Sequence, residues 1–377
     1  MTARLSIPAP VLPAAEMAPR VLLGPGPAMV HPRVTAAMAA PLLGHLDPDF
    51  LELMDRTQHL LRYVFQTDNR LTLPISGTGS AGMEATVASM VEPGDPILVC
   101  VNGYFGSRIA EMGRRHGAEV EVIERPWGEV FSAEEVQAAL RRRPAGLVAI
   151  VHAETSTGAL QPLQDIVDVV HQEGALLLVD AVTSLAGIPL LVSDLGIDVV
   201  YSGTQKCIGA PPGLSPVTLG TSAETKLERR RMPVATWYLD LSIVQRYWGP
   251  ERTYHHTAPI SLNFALYEAL RMIAEEGLEA RWDRHRRNAE FLWEGLQELG
   301  LGLHVATEHR LPQLTTVLIP EGVQDAEVRT QLLREYGIEI GGGLGALKGR
   351  VWRIGLMGHS SRTENVELIL GALRRIL

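Results

Sequence analysis

Cysteine is nearly missing from this chain: Cys100 and Cys207 are the two thiols among 377 residues. So few thiols exclude a disulfide framework and a cysteine-rich zinc site, and they fit a reducing compartment. Long apolar runs are lacking as well, and no stretch approaches the roughly 20 residues that a membrane helix needs. Pro8, Pro10, Pro13, Glu16 and Pro19 interrupt any continuous apolar region of a secretory leader. The final Arg374-Arg375-Ile376-Leu377 does not match the peroxisomal tripeptide. These absences leave the cytoplasm as the expected location. A surplus of positive charge is lacking too. Lys and Arg number 34 against 43 Asp and Glu, a net charge of −9, which argues against a general nucleic-acid binder. The runs Arg141-Arg142-Arg143 and Arg229-Arg230-Arg231 read as solvated helix ends.

What is present is an ordinary globular composition, with 46% hydrophobic and 20% charged residues, ample for a sizeable core. The length suits one large or two medium domains. After a proline-rich start, short apolar runs alternate with helical patterns. Strands are expected over 71–76, 97–101, 119–123, 147–151, 175–180 and 199–201, and helices over 80–90, 104–116, 133–142 and 163–173. That alternation predicts an α/β fold with a mostly parallel sheet between helices, whose ligands collect at the carboxyl ends of the strands. Near residue 257 the pattern changes to long helical stretches over 260–276 and 278–299. Short strands (314–319 and 351–354) and helices (325–336 and 362–376) then suggest a smaller α+β unit. The expected division is an extended arm over 1–22, a large domain over 23–257 and a small domain over 258–377.

Chemically loaded residues cluster at the predicted strand ends. Ser76-Gly77-Thr78-Gly79-Ser80-Ala81-Gly82 follows a strand and opens a helix, where small residues and free N–H groups cradle a phosphate. The same run fits a dinucleotide fingerprint or a plain tight turn. The ribose-binding acid expected after the next strand is missing, because Val101-Asn102 stands there. Asn102-Gly103-Tyr104-Phe105-Gly106 offers an aromatic to stack on a flat ring, with Phe105 ahead of Tyr104, or else a core aromatic. The hydroxyls of His152-Ala153-Glu154-Thr155-Ser156-Thr157-Gly158 suit either a ring oxygen or turn and cap chemistry. Asp180 ends a Leu-Leu-Leu-Val run, where a carboxylate is costly to bury unless paired. Lys206 follows Val199-Val200-Tyr201, in Ser202-Gly203-Thr204-Gln205-Lys206, and taken alone it reads as a surface lysine. Arg353 is one charge in the apolar Val351-Trp352-Arg353-Ile354-Gly355. It suits a substrate carboxylate or the outer face of an edge strand. The adjacent His255-His256, without spaced partners, makes a poor metal site, and no metal is expected.

An acid at one strand end and a lysine just past another is what pyridoxal phosphate chemistry needs. The amine holds the cofactor aldehyde as a Schiff base, and the acid keeps the ring nitrogen protonated so that the ring takes up electrons. The freed lysine then moves the substrate proton.

These stretches, with Leu23-Gly24-Pro25-Gly26-Pro27, Ala210-Pro211-Pro212-Gly213 and Tyr254-His255-His256-Thr257, resemble the class V aminotransferases of fold type I. The likeness is closest to the alanine–glyoxylate and serine–pyruvate branch and runs from about Leu22 onward. It implies a seven-stranded sheet and a pyridoxal 5'-phosphate cofactor. Lys206 would carry the cofactor, and Asp180 would pair with its ring nitrogen. Thr78, Gly79, Ser80 and Gln205 would surround the phosphate. Phe105 would stack on the ring, and Thr155 would touch its hydroxyl. Tyr254 and Thr257 would reach the phosphate of a second subunit, so the resemblance implies a homodimer with shared sites. Arg353 and Gly26 would bind the substrate. Phe105 stands where many relatives have tryptophan, and Ser80 where some have histidine.

The implied reaction moves the amino group of L-alanine or L-serine to glyoxylate by a ping-pong route. Ureidoglycine–glyoxylate and 2-aminoethylphosphonate–pyruvate aminotransferases are the near alternatives. A nicotinamide dehydrogenase built on Gly77 to Gly82 is the alternative from another class. A cysteine desulfurase would need a late cysteine, and none follows Cys207.

Overall fold

The computed structural model describes residues 12–13, 15 and 17–377. Residues 1–11, 14 and 16 of the arm expected over 1–22 lie outside the described residues. The end of that arm is not free. Val21–Leu22 pairs in parallel with Ile338–Glu339, far along the chain.

The central sheet has seven strands, in the order Leu71–Ser76, Leu214–Leu219, Val199–Tyr201, Leu176–Asp180, Leu147–Val151, Pro96–Val101, Glu119–Glu124. Leu214–Leu219 runs antiparallel to both of its neighbours, and the other pairings are parallel. This is the mostly parallel α/β sheet that the alternation predicts. The Leu214–Leu219 strand was not foreseen, because Pro216 interrupts its apolar run and proline cannot donate to a ladder. Helices cover both faces, which is why central strands such as Leu147–Val151 read as unbroken apolar runs, while the edge strand Glu119–Glu124 alternates. Val148, Ile150, Leu177 and Val179 pack with Val136, Ile166 and Leu266 on one face. Val99, Ala149, Val151 and Leu178 pack with Met83, Ile109 and Val244 on the other. Local signals fix the helix starts where they are strong. Ser132 accepts from the Glu135 N–H and the Glu135 carboxylate accepts from the Ser132 N–H, so Ala133–Arg142 begins with a reciprocal cap.

A second, three-stranded antiparallel sheet sets Val351–Gly355 between Leu314–Leu318 and Gly341–Gly342. Its core holds Leu292, Val317, Leu332, Trp352 and Ile369, together with Leu23 from the start of the chain. Packing does not follow the cut expected after residue 257. The Ile260–Glu276 helix buries Leu266, Ala269, Leu270 and Ile273 in the large core. The Leu278–Glu298 helix runs from one core to the other, with Leu278 in the first and Leu292 and Leu296 in the second. The helical pattern changes near 257, but burial decides which sheet a helix serves. No helix among the described residues is long and apolar enough to cross a membrane.

Candidate active site

Parallel strands deliver their last residues to one edge of the sheet. Asp180 closes Leu176–Asp180 and is 3% exposed. Tyr201 closes the adjacent strand directly opposite it. The Tyr201 hydroxyl donates to Asp180 Oδ2 at 2.7 Å, and the Val182 N–H donates to Oδ1 at 2.9 Å. Burial pushes the Asp180 carboxyl up to about 6, against those two hydrogen bonds and the nearby Lys206 charge.

Lys206 lies in a π-helical turn, Thr204–Ile208, and itself leaves helical geometry at φ −104° and ψ −125°. The Thr204 hydroxyl pins that turn by donating to the Pro211 carbonyl at 2.6 Å and meeting the Leu214 carbonyl at 3.1 Å. The lysine amine donates to the Pro25 carbonyl. Burial lowers its pKa to about 8, and the Arg353 charge acts in the same direction. Gly26 has φ +110°, and a Cβ there would sit 2.5 Å from the lysine Nζ. Only glycine lets this loop pass so close to the amine.

Asp180 and Lys206 face one cavity of about 160 Å³. Thr78, Gly79 and Ser80, at the start of the Gly79–Met90 helix, form part of its wall. Phe105, Thr155 and Gln205 complete the set of predicted residues that line it. The Gln205 Oε1 atom is buried without a hydrogen-bond partner.

Arg353 is 6% exposed and donates to the Gly342 carbonyl at 2.7 Å and the Thr155 carbonyl at 3.0 Å. It is therefore not the outward residue of an edge strand. Val351–Gly355 is the middle strand of its sheet, and burial lowers the guanidinium to about 10. Tyr254 and Thr257 lie on the surface and do not line this cavity. His256 Nε2 meets Ser76 Oγ at 2.6 Å, and the two neighbouring imidazoles meet Nδ1 to Nδ1 at 2.7 Å.

Sequence reasoning missed three side chains. Tyr201 holds Asp180, and its place at the end of the next strand was the available signal. Glu154 is fully buried and caps a helix from the short strand Ala153–Glu154. The Tyr104–Arg115 helix has no cap of its own, since Gly103 precedes it. Glu154 Oε2 accepts from the Phe105 N–H at 3.0 Å, and Ser156 Oγ accepts from the Tyr104 N–H at 2.9 Å. Glu154 Oε1 in turn accepts from the Ser156 N–H at 3.0 Å and its hydroxyl at 2.6 Å. A Cβ at Gly103 would lie 2.3 Å from Glu154 Cγ, so the contact requires glycine. Arg108, the third, lines the cavity one helical turn beyond Phe105, a spacing that the sequence displays.

The architecture and this site define a pyridoxal phosphate enzyme of fold type I. A family model described as aminotransferase class-V matches residues 22–367. The chain is 42% identical over 362 residues to the alanine–glyoxylate aminotransferase of Callithrix jacchus, covering 95% of this chain and 87% of that one. It is 39% identical over 376 residues to the (S)-ureidoglycine–glyoxylate transaminase of Bacillus subtilis (strain 168), covering 95% and 90%. The crystal structure of an alanine–glyoxylate aminotransferase from Nostoc sp. matches with a TM-score of 0.96 at 54% identity, covering 97% of each chain. The chain belongs to the class V aminotransferases, and its cofactor is pyridoxal 5'-phosphate. The residues present fit that group. A half-buried amine, a buried carboxylate, an amide oxygen without a partner and a helix start face one cavity.

Proposed function

We propose that this enzyme moves the amino group of L-alanine or L-serine to glyoxylate, leaving pyruvate or hydroxypyruvate and forming glycine. The carrying observation is that Lys206 and Asp180 line one cavity while Arg353, held by Thr155, adjoins it with no carboxylate partner among the described residues. The bound cofactor supplies an aldehyde for the lysine amine and a ring that takes up the electrons left when the substrate Cα loses its proton. Lys206, freed by the incoming amino acid, takes that proton and returns one on the far side of the transfer. Its lowered pKa of about 8 suits an amine that must be neutral for part of each cycle. Asp180 pairs with the ring nitrogen, whose positive charge offsets the cost of burying the carboxylate.

Thr78, Gly79, Ser80 and Gln205 hold the phosphate, Phe105 stacks on the ring and Thr155 meets the ring hydroxyl. Arg353 binds the substrate carboxylate as a two-pronged donor, with Gly26 lining the pocket. A second copy of the chain supplies the Tyr254 and Thr257 hydroxyls, so the working unit is a homodimer, in the cytoplasm. The relative from Bacillus subtilis makes (S)-ureidoglycine the second donor to test.

The experiment is a half-reaction panel. Single amino acids are added to the loaded protein while the visible absorption of the lysine-linked cofactor is followed. L-Alanine or L-serine should bleach it with one equivalent of 2-oxo acid released, and glyoxylate should restore it. A protein that neither donor bleaches sinks the assignment. Lys206→Ala should lose about 10⁴-fold in turnover while remaining folded. A lysine-type absorption that survives in that variant would remove Lys206 from its role.

A further inference from the structure

Two arginines adjoin this cavity without a carboxylate partner among the described residues. Arg353 stands at the Thr155 end, bonded to backbone carbonyls alone. Arg108 lines the cavity itself, where its guanidinium donates to Ser80 Oγ at 3.1 Å. It lies over the Tyr104 ring at 5.0 Å and the Phe105 ring at 5.2 Å. Elsewhere the described arginines commonly meet acids, as Arg281 and Arg284 both meet Glu276. A half-buried guanidinium with one hydrogen bond has spare donors and an uncompensated charge, which is costly unless an anion arrives. The substrate and the cofactor bring one anion each, a carboxylate and a phosphate. Arg353 is placed for the first, which leaves the second for Arg108.

We infer that Arg108 is a further phosphate residue for the cofactor, its guanidinium held by Ser80 and two aromatic faces beside the start of the Gly79–Met90 helix. This rests on the reading of Thr78 to Ser80 as the phosphate turn. The helix start contributes N–H groups and a partial positive charge, and Arg108 adds a full charge on a side chain that is already ordered. Arg108 touches both Ser80, at the helix start, and Phe105, which lines the same cavity. Its charge also reaches Asp180, whose ionised form it favours. Arg108 thus faces the interior of the cavity and not solvent alone.

The test compares pyridoxal 5'-phosphate with pyridoxal, which lacks the phosphate. Cofactor-free protein is titrated with each, and tryptophan fluorescence and visible absorbance report binding. Arg108→Gln should weaken pyridoxal phosphate by about 10- to 100-fold and leave pyridoxal within about twofold, as expected for a lost charge-assisted bond. Arg108→Lys should recover part of the preference, because it keeps the charge and loses the planar fork. Equal weakening of both ligands overturns the proposal, since Arg108 would then act only by packing against Phe105. Unchanged affinity for pyridoxal phosphate overturns it as well. Should Arg108→Gln fail to fold, the same ratio read on Arg108→Lys decides. A wild-type protein with no preference for the phosphorylated ligand would instead overturn the phosphate turn itself.

Discussion

The strand-end wall and the segment from Trp237 to Thr257 present their predicted residues in opposite ways. On the wall, Asp180 and Thr155 are buried, Lys206 is half-buried, and all three are bonded within one chain. In the segment, Tyr254 is 56% exposed and Trp237 63%. Its order comes from rings against rings. Trp237 stacks on His255 at 4.3 Å, and Tyr254 leans on His45 at 4.9 Å. One anchor ties it to the site: His256 bonds Ser76, just before the turn into the Gly79–Met90 helix. The wall is complete in a single copy, and the segment carries exposed aromatic surface that calls for a cover.

Four substitutions break or sharpen this contrast. The largest effect should come from Arg353, beside the wall. Arg353→Gln should cut kcat/KM for the amino acid by about 100-fold, through loss of a two-pronged charged contact. Steady-state kinetics with L-alanine would show it, and a change confined to cofactor affinity would argue against the assignment.

Asp180→Asn should separate stability from function. The folded carboxyl sits at about 6, above its ordinary value of 3.8, so the folded cofactor-free chain holds that proton more tightly than the unfolded one does. Stability from this group is fully present below the ordinary value and is lost as pH rises through about 6. Above that pH the cofactor-free variant should be more stable by about 1–3 kcal/mol, yet slower in turnover. Urea unfolding from pH 4 to 8 is the measurement, and identical pH profiles for the two proteins would refute it.

Glu154→Gln should cost about 1–2 kcal/mol, because one amide group replaces an acceptor that serves Phe105 and Ser156 together. Denaturant midpoints would register the loss, and a neutral result would mean that the distant cap is dispensable. Tyr254→Phe should have the smallest effect, weakening cofactor binding by about 2- to 10-fold for one lost hydroxyl contact. If the segment serves a second copy, cofactor affinity in the wild type should also fall on dilution below the dimer's dissociation range. Affinity that is independent of protein concentration, even where the protein is monomeric, would remove the segment from the site.

The parts legible in the sequence share a physical cause. The strand over 147–151 announces itself because burial on both faces demands an unbroken apolar run, Leu-Val-Ala-Ile-Val. Lys206 and Asp180 stand out because a charge at the end of such a run needs a reason. Less was legible where two signals conflict, as at Leu214–Leu219, whose central proline hides a strand that sits between two others. Arg353 was balanced between two readings, since alternation on a strand does not tell a middle strand from an edge.

The sequence by itself determined the α/β class, the strand ends that carry chemistry and, through the set of motifs, the family. Those properties follow from neighbours along the chain, where spacing and composition act directly. Only the tertiary structure decided that Tyr201 holds Asp180, that Glu154 caps a helix 49 residues earlier in the chain, and that Arg108 hydrogen-bonds Ser80 at the cavity. It also decided that the Ile260–Glu276 helix serves the large core. Each of these depends on which strands lie side by side and which helix ends meet a loop, and sheet order is fixed by long-range packing that no local pattern records.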